Sequence, residues 1–108
     1  MVKGAVKGRS SERIARGVLT ELGYEILETN KMITIDGEEA FEVDIIALNP
    51  EGEKVCIEVK AGEVGVSDVR HAFANGNILD MRCLFVAKDF ANDAAKALSE
   101  ELNVGLIR

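Results

Sequence analysis

The chain has 108 residues, 47% of them hydrophobic, and a formal net charge of −6. That length suits one domain, 1–108, with one core, and the apolar share excludes a disordered chain. No apolar run approaches the roughly 18–20 residues needed to cross a bilayer, and no signal peptide opens the sequence, so a cytoplasmic protein is expected.

Ser10 and Ser11 are suited to cap a first helix that reaches Leu22 and stops at Gly23, with Ile14, Ala15, Val18, Leu19 and Leu22 as its apolar stripe. Tyr24 to Ile35 reads as a strand ending in the turn signal Asp36-Gly37. A second strand is expected at about Phe41 to Leu48 and a third at about Lys54 to Lys60, joined around Asn49-Pro50-Glu51-Gly52. After a loop over 61–65, Ser67 or Asp68 caps a second helix to about Leu79, facing the core through Val69, Ala72, Phe73 and Ile78 or Leu79. Cys83 to Ala87 has no polar interruption and reads as a strand buried on both faces. A third helix at about Ala91 to Leu102 carries Ala91, Ala94, Ala95, Leu98 and Leu102 on one side, and Val104 to Ile107 forms a last short strand. The order α-β-β-β-α-β-α-β predicts an α/β fold, a mixed central sheet with helices on both faces.

Cys56 and Cys83 lie in apolar strand-like runs and read as buried reduced thiols, without the spacing or partners of a zinc site. The charge is unevenly spread. Residues 1–20 hold Lys3, Lys7, Arg9, Arg13 and Arg16 against the single acid Glu12, while the other 88 residues hold 8 basic and 18 acidic side chains. A basic arm at about 1–9 leading into a helix suits phosphate contact. The same arm is equally readable as a solvated terminus.

The chemistry lies in the second and third strands. Residues two apart in a strand share a face, so Glu58 and Lys60 project together while Val55, Ile57 and Val59 go to the other side. If the two strands pair as a hairpin, Asp44 lies beside them. Carboxylates and an ammonium on one face of a core sheet are costly unless a cation and a charged substrate belong there. Asp44, Glu58 and the carbonyl of Val59 would offer oxygen ligands to Mg²⁺, with Mn²⁺ as a substitute, and Lys60 would stabilise charge growing on a phosphate. The bland alternative is an ordinary Glu58–Lys60 ion pair on a solvated face. Glu12, at one edge of the first helix's stripe, is a candidate third carboxylate; the pattern equally allows it to face solvent. His71, the lone histidine, reads as a helix-surface residue.

These residues resemble the PD-(D/E)XK nuclease superfamily, in which an acid ends one strand and an acid-x-lysine triplet lies on the next. Asp44 and Glu58-Val59-Lys60 fit that pattern with 13 residues between the acids, and the segment from Lys7-Gly8-Arg9-Ser10-Ser11-Glu12-Arg13 to Leu22-Gly23-Tyr24 resembles the opening of the archaeal Holliday-junction resolvases. The resemblance, over roughly residues 7–87, implies a restriction-endonuclease-like fold. It also implies a metal site completed by Glu12, and an Mg²⁺-dependent deoxyribonuclease, endonuclease rather than exonuclease, in DNA repair or recombination. Asp44 follows Val43 where the family has proline, and Asp36, Glu38, Glu39 and Glu42 stand where the resolvases are basic. DNA is the expected substrate, with phosphate contacts from Lys3, Lys7, Arg9, Arg13 and Arg16. A homodimer is expected, because paired incisions need two sites, as is a protein partner in repair or recombination. The competing reading is a degenerate nuclease fold that binds DNA or assembles a complex without catalysis.

Overall fold

The computed structural model describes the backbone of residues 2–108 and the side chains from Ser11 onward. Helix α1 spans Val2–Glu21 and is followed by strands β1 (Glu25–Ile35), β2 (Glu38–Leu48) and β3 (Lys54–Val59). The short strand β4 (Glu63–Val64) leads into α2 (Val66–Leu79), then β5 (Arg82–Val86), the short β6 (Asp89–Phe90), α3 (Asp93–Leu102) and β7 (Gly105–Ile107). The main sheet has the order β1-β2-β3-β5-β7. Its first half is an antiparallel meander and its second half is parallel. This is the mixed α/β architecture and element order that the sequence implied.

Two local signals set the meander. Asp36 and Gly37, with φ of 53° and 82°, form the two-residue connection that joins Ile35 to its partner Glu38. Both central residues of such a turn need positive φ, which Asp and Gly tolerate best. At the next turn the Asn49 side chain accepts the N–H groups of Glu51 and Glu53 at 3.1 and 2.8 Å, folding the loop back so that Leu48 meets Lys54.

The two crossovers β3–α2–β5 and β5–α3–β7 step in the same direction across the sheet. With the usual right-handed connection they place α2 and α3 on one face and leave the other to α1. The core divides accordingly. Val69 and Ala72 of α2 pack with Ile46, Cys56, Cys83 and Phe85, while Ala15 and Leu19 of α1 pack with Ile45, Ala47, Val55, Ile57 and Leu84. Cys56 and Cys83 are register neighbours on β3 and β5, and both are buried free thiols. The Cys83 thiol is pushed up by its hydrogen bond with Cys56 and by burial.

Several expectations need correction. α1 begins at Val2, so Ser10 and Ser11 lie inside the helix and not at its start. Its buried stripe is narrower than predicted, because Ile14 and Leu22 are 68% and 51% exposed. One helix crossing a twisted sheet seats only the centre of its stripe. The N-cap of α2 is Gly65, not Ser67 or Asp68, and α3 starts after Asn92, whose Oδ1 accepts the Ala95 N–H at 2.9 Å. Ala91 and Ala94 are therefore exposed, and so is Ile78, which leaves Leu79 to face the core. Strands β4 and β6 were not foreseen. Each is two residues long, too short for a period-two pattern to register. No helix among the described residues is long and apolar enough to cross a membrane.

Candidate functional site

The register between β2 and β3 ends at the pair Ile45–Ile57. Beyond it the backbone ladder is replaced by a side chain: the Val59 N–H donates to Asp44 Oδ2 at 2.8 Å. The local cause lies in β1 and β2. Asn30, opposite Asp44 between the pairs Thr29–Ile45 and Lys31–Val43, has a left-handed φ of 51°. Asn accepts that conformation at low cost. Val43 and Ile46 both join the core under α2, although strict alternation sends residues three apart to opposite faces. The pleat changes phase across Asp44, and the pairing of β2 with β3 ends there with a carboxylate turned toward the edge of β3.

The other side of β3 remains tied to β5. Glu58 pairs with Phe85 and Val59 with Val86, and the Lys60 N–H donates to the Val86 carbonyl at 2.9 Å. A strand residue sends its N–H and C=O to the same edge. The Val59 carbonyl therefore faces the Asp44 side, where the ladder has ended.

Glu58 is half-buried, and its carboxyl is pushed up to about 8. Burial is the main cause, followed by the negative charge of Asp44, with smaller effects from Cys56, a hydrogen bond with Asp44, and Glu42. A carboxyl that is buried beside another acid keeps its proton more tightly when no cation offsets the charge.

Lys60 does not pair with Glu58. Its Nζ lies 3.6 Å from Asp68 Oδ2 on α2, and no Glu58–Lys60 ion pair occurs among the described residues. Asp68 also accepts the Gly65 N–H at 2.9 Å, closing the first turn of α2. Between the end of β3 and α2 lies an open cleft of about 210 Å³, lined by Glu58, Val59, Lys60, Asp68, His71 and Asn75 over a floor of Ala72 and Phe85. On the opposite side of Val59 and Lys60, toward α1, lies a largely apolar groove of about 330 Å³ that includes Ile14, Val18 and Val86.

The structure therefore brings Asp44, Glu58, Val59 and Lys60 to one place. Glu12 is half-buried on α1, which packs on the other face of the sheet. Among the described residues no three His, Cys, Asp or Glu side chains gather as a metal nest. Arg13 and Arg16 are exposed on α1, while the side chains of Lys3, Lys7 and Arg9 lie outside the described residues. Sequence reading took Asp68 only as a helix cap, put His71 on the helix surface and passed over Asn75. Their spacing of 68, 71 and 75 is one face of a helix, and that signal was present. His71 is exposed, as expected, but at the rim of the cleft.

Two carboxylates, with water filling the other positions, are a common protein share of an Mg²⁺ shell. Asp44 and Glu58 fit that role chemically, since they are hard oxygen donors whose mutual repulsion a dication would relieve.

The fold has counterparts among solved structures. A repair endonuclease from Pyrococcus abyssi matches with a TM-score of 0.70 at 20% identity, over 85% of this chain and 41% of that one. EndoMS in complex with dsDNA matches at 0.68 and 22%, over 86% and 41%. Pyrococcus furiosus SfsA in complex with Ca²⁺ matches at 0.52 and 16%, over 95% and 55%. The chain thus spans about two-fifths of the length of the first two of these proteins. At these identities the likeness is one of fold, shared with the repair endonuclease and EndoMS structures. No curated protein matches the chain. A family model matches residues 11–82, from within α1 through α2 to the start of β5, and the chain belongs to the uncharacterised protein family UPF0102.

Proposed function

We propose that the domain is a divalent-metal-dependent deoxyribonuclease that hydrolyses phosphodiester bonds as an endonuclease in DNA repair or recombination. The observation that carries this reading is the placing of Asp44, fixed on the Val59 N–H where β2 and β3 part, beside Glu58 and Lys60 at the end of β3, where an open cleft begins. Two acidic groups and a cation at a strand end do nothing for stability that apolar residues would not do better. They suit a site that binds a dication and then a phosphate.

In this reading Asp44 and Glu58 hold Mg²⁺, or Mn²⁺ in its place, with the Val59 carbonyl directed to the same edge. The ion, when bound, supplies a water of lowered pKa and polarises a phosphate oxygen. Asp44 is held for that task by the Val59 N–H. Lys60 stabilises charge on the phosphate as it develops. Glu12 would join only by reaching around the end of the sheet. Lys3, Lys7, Arg9, Arg13 and Arg16 supply phosphate contacts. A homodimer gives two sites for paired incisions, and a repair or recombination protein is a suitable partner. The endonuclease and dsDNA names of two similar structures favour repair substrates, and a four-way junction remains one DNA form to test.

One observation favours a second reading, a non-catalytic DNA-binding or assembly module: among the described residues no three His, Cys, Asp or Glu side chains gather to hold a metal. Cleavage assays with Mg²⁺ on single-stranded, duplex, flap and junction DNA separate the two. Metal-dependent cleavage that Asp44→Asn abolishes supports the nuclease. DNA binding without cleavage of any substrate supports the module.

A further inference from the structure

The amino acid that faces Lys60 is not the one sequence spacing would choose. Glu58 stands two residues away on the same face, yet the ammonium lies 3.6 Å from Asp68 Oδ2, on a different element. Asp68 is itself well fixed. Its carboxylate accepts the Gly65 N–H at 2.9 Å, and the Gly65 carbonyl accepts the Val69 N–H at 3.1 Å. The chain just before Gly65 is anchored too, because Val64 pairs with Phe90 between β4 and β6, and its carbonyl accepts the Ala91 N–H at 2.8 Å. A small parallel sheet therefore carries the acid that meets the lysine. The lysine's own stem is long and rotatable, with much freedom to lose.

The pair is too exposed to matter greatly to stability, the two side chains being 40% and 33% accessible. Its effect is on position. Both residues line the same cleft as Glu58, with His71 and Asn75 along the α2 wall.

We propose that Asp68 is a positioning residue, holding the Lys60 ammonium at the mouth of the cleft so that it meets a phosphate instead of being neutralised on Glu58. This rests on the nuclease reading, in which Lys60 acts on the phosphate. In this role Asp68 acts through Lys60, the cation it faces at 3.6 Å. Asp68→Asn isolates the role, since the amide oxygen still accepts the Gly65 N–H and keeps the helix start while the charge is lost.

Two measurements on the full chain test this. In NMR of lysine ammonium groups, with Lys60→Arg supplying the assignment, the Lys60 signal should show slowed hydrogen exchange that Asp68→Asn abolishes. In cleavage kinetics, Asp68→Asn should lower kcat roughly tenfold to a hundredfold, as misplacement of a reacting group does. KM for DNA, Mn²⁺ affinity and thermal unfolding should stay unchanged, and Asp68→Glu should restore much of the rate. An unchanged Lys60 signal, or Asp68→Asn turning over at the parental rate, overturns the proposal. A parent chain that cleaves no DNA overturns the nuclease reading, and the ammonium signal then still decides whether Asp68 holds Lys60.

Discussion

Val55, Ile57 and Val59 look from β3 toward α1, while Cys56, Glu58 and Lys60 look toward α2, and the protein treats the two rows in opposite ways. The first row is apolar throughout and packs with Ala15 and Leu19. The second begins buried at Cys56, becomes acidic at Glu58 and ends in a cation at an open cleft. One strand thus serves as core on one face and as a graded path from core to chemistry on the other. The difference teaches where the fold tolerates buried charge: only past the point where β2 and β3 part, after Ile45 and Ile57.

Replacing a residue in the apolar row should cost stability and little else. Ile57 is fully buried, and Ile57→Ala should destabilise the protein by about 2–5 kcal/mol through lost burial and a residual cavity. Urea unfolding measures this, and cleavage per folded molecule should hold. Should rate fall more steeply than folded fraction, the two faces are not separable.

Lys60→Ala should do the reverse. Turnover should drop by about 10²–10³-fold, the scale for removing a group that stabilises transition-state charge, while DNA and metal binding persist. Stability should change by less than about 1 kcal/mol, because the Asp68 pair is half exposed. Parental activity in this variant would remove Lys60 from the mechanism.

The pH dependence of stability sharpens the same contrast. The folded Glu58 carboxyl, at about 8, holds its proton more tightly than the unfolded one near 4.5. Its contribution is therefore full below about pH 4.5 and is lost as pH rises through about 8. In the metal-free protein, stability should fall across that window by roughly 1–2 kcal/mol after allowance for solvent screening. Glu58→Gln should flatten the slope, and saturating Mg²⁺ should oppose it by favouring the charged form. A metal-free profile that is flat from pH 5 to 8 would mean that neither burial nor the neighbouring Asp44 raises the Glu58 carboxyl.

The smallest effect concerns affinity. Each phosphate contact contributes about 0.9 to the slope of log affinity against log salt. Arg13→Ala with Arg16→Ala should flatten that slope by up to about 2, for all DNA sequences alike. An unchanged slope would leave the described part of α1 out of the DNA contact.

Much of this arrangement was legible in the residues. Period-two spacing separated Glu58 and Lys60 from Val55, Ile57 and Val59, and Asp36-Gly37 marked the hairpin that sets the register of Asp44. What escaped reading depends on contacts between distant elements. Nothing local announces that Asp68 rather than Glu58 would face Lys60, because that meeting is set by the β4–β6 pairing, made of strands too short to show a pattern. Nor does helical spacing say that Glu12 belongs to the helix on the far face of the sheet. Handedness of the two crossovers decides that, and it appears only once the strand order is known.

The central claim is that Asp44 and Glu58 together bind one divalent cation. Anomalous diffraction from crystals soaked in Mn²⁺ tests it most directly. The account predicts a single peak at about 2–2.3 Å from an oxygen of each carboxylate, close to the Val59 carbonyl. It predicts too that Asp44→Asn removes the peak. No peak at millimolar Mn²⁺, or a peak held elsewhere with the two carboxyls more than about 8 Å apart, beyond bridging through a shared ion and its waters, would contradict it.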